Sequence, residues 1–297
     1  MIDPYFSISL AVFASVTWGF NSHILKFGLT KQNPILAVSI RSIFAFPPLI
    51  FIVILWKGIA GITIYFGSEI FPLILFSSLL IVFGDGMFLT GLRKYPVNVM
   101  LPISSIYPLV TTGVLILTGT ESVHGLIIVG TVIIVVSVAM VTSGGSTFVF
   151  SSDALLFGIS AAIGWGSSVF FVRKILEFEN TNPLGLLGIR NLLLGIEALF
   201  IYLVVKRHVA NEPPKTKLEK RTSIKYLGLS GLLGDAIGAS AFFLAVQRIG
   251  AAIPTPISST NPIIAVIIGF FAGIEFIEKK QLIGILCCVL GTLVIVI

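Results

Sequence analysis

The chain has 297 residues, of which 56% are apolar and 11% charged, with a mean hydropathy of +1.07 and a net charge of +6. A soluble domain carries about a quarter charged residues, so this composition excludes a water-covered surface and points to lipid as the solvent. The positive balance does not indicate nucleic acid, because the basic residues sit at the ends of apolar runs and in one loop rather than in a recognition module.

A spanning helix needs roughly 20 mostly apolar residues. Ten such runs fall at about 5–27, 34–56, 70–92, 97–118, 123–142, 153–175, 183–205, 224–246, 252–273 and 281–297. The fold class expected is an all-α, multi-pass membrane protein with short loops. The first run lacks a basic leader and is too long for a signal peptide, so it reads as an uncleaved span. It carries small residues every fourth position (Ser7, Ala11, Ser15, Gly19), a stripe that lets helix backbones approach closely in lipid. Trp18 and Asn21 lie near its end and are candidates for contact with a solute, although Trp18 also suits packing or the membrane interface. His23, His124 and His208 share no metal-ligand spacing with Cys or carboxylates.

The second run places Arg41 two turns in, and the third places Asp85 near its middle. The fourth contains PISSIYP (102–108), with prolines on both sides of Ser104 and Ser105. The sixth repeats the small-residue stripe at Ala154, Gly158, Ala162 and Gly166. The seventh carries Arg190 and, seven residues later on nearly the same face, Glu197. The segment 206–225 is strongly basic, contains Pro213–Pro214, and reads as the longest non-helical stretch. The eighth run holds Asp235, and the ninth holds PISSTNP (256–262) with Ser258, Ser259 and Asn261. Cys287 and Cys288 are adjacent in the last run, where neighbours point apart, and read as small apolar fillers.

The serine-proline motif recurs at an offset of 154, Gly84-Asp85 recurs as Gly234-Asp235 at 150, Arg41 as Arg190 at 149, and Trp18-Gly19 as Trp165-Gly166 at 147. The chain therefore divides into repeats 1–143 and 153–297 joined by a linker 144–152. Five spans per repeat is odd, so the second repeat enters the membrane from the opposite side. This is the inverted-topology architecture of secondary transporters, with the solute site between the halves at broken helices.

Proline removes its own N–H bond and frees the carbonyl four residues earlier. Pro108 and Pro262 would free those of Ser104 and Ser258, beside the serine hydroxyls. One reading makes Tyr107, Asn261, Ser104, Ser105, Ser258, Ser259, Asn21 and Trp18 solute contacts; the competing reading is a kink needed for shape, with serines bonded to their own helix. The motif is asymmetric at Tyr107 and Asn261, which favours a solute with two different ends. Arg41, Arg190, Asp85, Asp235 and Glu197 are ionisable groups at membrane depth, which either bind solute and carry coupling protons or pair with one another to hold the bundle.

Ten spans in two halves, WGFN (18–21) and WGSS (165–168), Arg41 and Arg190 early in the second helices, and proline-containing fourth helices followed by TGTE (118–121) and AGIE (272–275) resemble the drug/metabolite transporter superfamily of the EamA type. The resemblance covers essentially the whole chain. It implies ten helices around a central cavity and export or exchange of small metabolites, amino acids among them, across the cell membrane. One departure is the loop 56–71, Arg-rich in the family, which here carries only Lys57. The resemblance also places the N-terminus inside. The segment 206–225, Arg93-Lys94 and Lys279-Lys280 would then lie outside, whereas the positive-inside rule favours a cytoplasmic basic loop.

The expected function is a secondary transporter for a small polar solute, with membrane lipid and solute as its partners, no nucleic acid, no cofactor and no metal. The sequence does not set the oligomeric state, and a monomer is compatible with it. A channel is the alternative, though no filter-like glycine loop is present. A membrane-embedded enzyme would need clustered carboxylates, a His–Glu motif or a nucleophile with its base, and the acids here are scattered singly. No P-loop is present, so ATP is not the direct drive.

Overall fold

A computed structural model describes residues 4–29, 32–95, 97–143, 151–206, 216–271 and 277–297. Among them there is no β-strand. The helices are α1 (Pro4–Leu29), α2 (Pro34–Lys57), α3 (Ile70–Lys94), α4 in two pieces (α4a Val97–Ser104, α4b Tyr107–Thr118) and α5 (Gly125–Ser143). The second half repeats the series as α6 (Ser152–Ile175), α7 (Pro183–Lys206), α8 (Lys217–Ile249), α9 in two pieces (α9a Pro254–Ser258, α9b Asn261–Phe271) and α10 (Lys279–Val296). Nine of these segments are long and apolar enough to cross a membrane, and α4 makes the tenth as a broken span. Large side chains such as Phe51, Leu55, Leu117 and Phe200 are more than half exposed, as expected of a lipid-facing surface.

Local chemistry sets the helix ends. Asn33 caps α2 by accepting from the amides of Ile35 (3.0 Å) and Leu36 (3.3 Å), and Pro34 occupies the first turn, where its missing N–H costs nothing. Ser151 caps α6 through the amide of Ala154 at 3.1 Å. Gly119 closes α4b with φ 64°, a conformation that favours glycine.

One expectation needs correction. The basic stretch was expected to be non-helical throughout 206–225, yet Lys217–Lys225 are the first turns of α8. Thr216 and Glu219 form a reciprocal capping box, and the Lys, Leu, Glu and Arg that follow are good helix formers. The second half opens with α6 at Ser152. Residues 144–150, His208, Pro213–Pro214 and the AGIE at 272–275 lie outside the described residues.

The two serine-proline runs are broken rather than kinked. The helix stops after Ser104 and restarts at Tyr107, and stops after Ser258 to restart at Asn261. Pro108 and Pro262 fall at the start of the second pieces, where a proline is tolerated best.

Packing runs between the halves. α2 packs on α7, α5 on α10, α3 on α6, and α1 on α8, a pattern that maps onto itself when the halves are exchanged. The small-residue stripes are buried in this interlock. A Cβ at Gly19 would stand 2.8 Å from the Asn261 carbonyl of α9b, and one at Gly166 would stand 2.6 Å from the Tyr107 carbonyl of α4b. Each first helix thus lies against the broken helix of the other half.

Candidate functional site

Arg41 and Arg190 are each the eighth residue of their helix, about 10 Å along the axis from its start. Arg41 Nη2 donates to Asp235 Oδ1 at 2.5 Å, and its Nη1 lies 3.5 Å from Asp85 Oδ2. The side chains of Arg41, Asp85 and Asp235 are 11%, 18% and 21% exposed, so the three charges are largely shielded. One guanidinium joins the third helices of both halves. Removing one member of such a shielded set leaves an uncompensated charge, which costs about 3–5 kcal/mol.

The two tryptophans complete the cluster unequally. Trp165 Nε1 donates to Asp85 Oδ1 at 2.7 Å. Its repeat equivalent Trp18 donates instead to the carbonyl of Gly234 at 2.9 Å, one residue short of Asp235. Gly84 and Gly238 admit the indoles: a Cβ at Gly84 would meet Trp165 Cδ1 at 2.8 Å, and one at Gly238 would meet Trp18 Nε1 at 2.9 Å. Around Asp235, residues Gly231–Gly238 wind as a π-helix, whereas Asp85 sits in an unbroken α-helix. π-Turns inside helices gather at functional sites, and three glycines in this stretch weaken its preference for the regular form.

Arg190 does not touch the aspartates. Its Nη2 donates to Ser168 Oγ at 2.6 Å, and its guanidinium carbon stands 5.3 Å from the centre of the Phe243 ring. It remains within electrostatic range of Asp85, Asp235 and Glu197. Ser168 Oγ lies 2.9 Å from Ser77 Oγ, and the neighbouring Ser78 donates to Glu197 Oε1 at 2.7 Å. Serines therefore connect Glu197 to Arg190 across α3 and α6. Glu197 Oε2 is buried without a partner, as are Asn21 Oδ1 and the Nε atoms of Arg41 and Arg190.

At the breaks, Tyr107 reaches across to the other half. Its hydroxyl lies 3.3 Å from Ser258 Oγ and 3.5 Å from the Thr255 carbonyl, and its ring meets Trp165 edge-on at 6.0 Å. Ser258 and Ser259 donate to the carbonyls of Thr255 (2.9 Å) and Pro256 (2.7 Å) in their own helix. Ser104 and Ser105 are buried. Asn261 is half-buried, with its backbone against Gly19. Tyr107 and Trp165 thus join the serine-proline breaks to the charge cluster.

The end of the bundle that carries both termini holds two clasps the sequence did not announce. Glu121, after α4b, accepts from the amides of Ala251 (2.7 Å) and Ala252 (3.0 Å) ahead of α9a and from Arg173 Nε (2.7 Å) at the end of α6. Gly250, at φ 81°, leaves room for that carboxylate, since a Cβ there would stand 2.8 Å from both oxygens. Tyr65, between α2 and α3, donates to the Asn182 carbonyl at 2.6 Å and accepts from the Asn182 amide at 2.7 Å. Burial pushes its phenol up to about 12. The TGTE repeat is the one sequence signal at Glu121, and Ser168 falls within the WGSS motif, but Arg173, Tyr65, Ser77 and Ser78 carry no motif.

Among the described residues no group of His, Cys, Asp and Glu could hold a metal. A cleft of about 430 Å³ opens at the same end as the clasps, lined by Leu73, Phe170, Lys174, Glu177 and Phe178. It contains none of the charge cluster.

Comparison with known proteins agrees with this architecture. The EamA-like transporter family matches residues 5–143 and again 153–297. One solved crystal structure, titled only as that of a protein, superposes with a TM-score of 0.78 at 11% identity and covers 98% of each chain, a likeness of fold alone. No curated protein matches the sequence.

Proposed function

Because the chain belongs to the EamA-like transporter family, we propose that it is a secondary transporter that carries a small polar metabolite, an amino acid or related solute, across the cell membrane by alternating access, in export or exchange. The observation that carries this reading is the ion pair between the halves, Arg41 on Asp235, with Asp85 beside it at membrane depth. A charged contact between two halves of an inverted repeat can be remade as they rock, and its partners stay paired in lipid throughout. The breaks of α4 and α9 lie beside it, so Tyr107, Ser105 and Asn261 are the side chains proposed to meet the solute.

Orientation follows from charge. Lys26, Arg93, Lys94, Lys217 and Lys279 mark one end of the bundle, and Lys57, Arg173, Lys174 and Arg248 the other. The richer end is assigned to the cytoplasm, in keeping with the positive-inside rule and against the side that the family resemblance implies. The test is the purified protein in liposomes with a panel of labelled amino acids and metabolites, with and without a proton gradient. Saturable uptake of one solute class, lost in Asp235→Asn, supports the reading. Uptake that never saturates indicates a channel and overturns it.

A further inference from the structure

The repeat supplies two equivalent sets of side chains, and the structure uses them differently. Arg41, Asn21, Trp18 and Asp235 correspond in order to Arg190, Ser168, Trp165 and Asp85. Arg190 rests on Ser168, its neighbour from the first helix of its own half. Arg41 makes no bond to Oδ1 of the equivalent residue, Asn21, and holds the aspartates instead. Asn21 is correspondingly 5% exposed, with an Oδ1 that has no hydrogen-bond partner. The tryptophans show the same one-sidedness: Trp165 reaches a carboxylate, and Trp18 reaches only a carbonyl beside the carboxylate that Arg41 has taken. The backbone shows it again, π-helical at Asp235 and α-helical at Asp85.

A buried acceptor without a donor costs free energy in the state that buries it, so its retention calls for an explanation, and a partner gained in another state is one. Resting on the transport reading above, we propose that Asn21 Oδ1 is the second seat of Arg41, and that Arg41 and Arg190 exchange on the aspartate pair between the two faces of the cycle. In the second state Arg190 grips Asp85, Arg41 donates to Asn21, Trp18 reaches Asp235 and Trp165 falls back to the Gly84 carbonyl. One guanidinium sits on the aspartates and the other on a neutral polar seat in both states. The exchange therefore creates no new unpaired charge in the membrane.

The test uses the full chain in lipid nanodiscs, with Cys287 and Cys288 replaced and spin labels placed in pairs at Leu117 with Lys174 and at Lys94 with Leu218. These exposed positions report the two ends of the bundle across the halves. Asn21→Leu removes the second seat together with the unpaired oxygen, and is expected to leave a single distance population at each pair. Ser168→Ala removes the first seat of Arg190, and Asn21→Asp strengthens the second seat of Arg41. Both are expected to raise a second population by about tenfold or more, at both pairs. If Asn21→Leu and Ser168→Ala leave the distributions of the wild type unchanged, or move them the same way, the exchange is overturned. Liposome uptake by the same proteins separates the two readings: transport with unresponsive distances sinks the exchange alone, and responsive distances without transport sink the transporter assignment alone.

Discussion

Glu121→Ala removes the carboxylate that holds the start of α9a and the end of α6 against the loop after α4b. Three donors lose their acceptor: two backbone amides at 2.7 and 3.0 Å and the Arg173 Nε at 2.7 Å. Glu121 and Arg173 are 12% and 21% exposed, so water replaces the lost bonds poorly. Hydrogen bonds to a charged group contribute about 1.5–3 kcal/mol each. They are not additive here, because Arg173 keeps Glu177 at 3.3 Å as a second partner. Breaking a shielded pair costs about 3–5 kcal/mol. At about 2 °C per kcal/mol for a chain of this size, the apparent Tm should fall by about 6–10 °C. Glu121→Gln, which keeps one carbonyl acceptor for an amide, should lose about half as much. The assay is thermal unfolding followed by size exclusion in mild detergent, with Arg173→Ala added to each background. Arg173→Ala should matter less once Glu121 is gone, with a coupling of about 1–3 kcal/mol. A Glu121→Ala protein that melts within about 1 °C of the wild type, or two substitutions that simply add, would refute the clasp.

Tyr107→Phe and Asn261→Leu should each weaken transport by roughly 5- to 150-fold with little change in expression; Ser259→Ala should do less, because its hydroxyl is already bonded to Pro256, and uptake assays compare the three. Asp235→Asn should destabilise more than Asp85→Asn, because Arg41 is 2.5 Å from the first and 3.5 Å from the second; equal melting temperatures would contradict the asymmetric pairing. The Tyr65 phenol ionises near 10 when unfolded and near 12 in the fold, so the folded state holds the proton more tightly and stability should fall as pH rises from about 10 to 12; Tyr65→Phe should flatten that decline in a pH series of melting curves. In intact cells an impermeant thiol reagent should label a cysteine at Leu117 but not one at Leu218, which should label only after the membrane is permeabilised; equal labelling of the two in intact cells would overturn the inverted topology.

The spans were legible because lipid demands one thing of every residue in a run. A window of apolar residues reports burial in the membrane without reference to partners. Thus α2, expected at 34–56, is found at Pro34–Lys57. Runs lacking that uniform signal were read less well. The first turns of α8 are charged and lie beyond the apolar window, so only the Thr216–Glu219 box could have announced them. The breaks in α4 and α9 were legible as prolines but not as full interruptions, since a proline can either kink a helix or begin one. In the site, the repeat picked out Arg41, Asp85, Arg190 and Asp235. It left open who pairs with whom, because each arginine has an equivalent partner set in the repeat and spacing alone does not choose between them. Trp165 is legible as half of a Trp-Gly repeat and the first residue of WGSS, but its bond to Asp85 spans 80 positions of sequence, which no local motif announces. Ser77 and Ser78 are hydroxyls in an apolar helix, a type so common in packed membrane helices that spacing says nothing of their role, and Ser168 is marked only by its place in WGSS, opposite Asn21 in WGFN.

The departures from symmetry are as informative as the repeat itself. Glu197 is tied through Ser78 to α3, where the adjacent Ser77 meets Ser168 and, through it, Arg190. At the equivalent positions of the other half stand Pro48, Gly228, Leu227 and Asn21. Neither a proline, a glycine nor a leucine offers a side-chain hydrogen bond, so no matching polar chain leads to Arg41. Under the proposed alternating-access cycle, a perfectly symmetric bundle would make its two states equal in energy and identical in chemistry. Here the scaffold residues, two arginines and two aspartates, are duplicated, and these are the groups that must find partners in either state. The serine chain and its acid occur once, on the side of Arg190 alone. In the proposed exchange that placement biases the equilibrium, because Arg190 has a hydroxyl seat linked to further polar groups, whereas the seat proposed for Arg41 is the unpartnered amide oxygen of Asn21 alone. The resting arrangement follows: Arg190 stays on its better seat, and Arg41, with the poorer one, takes the aspartates.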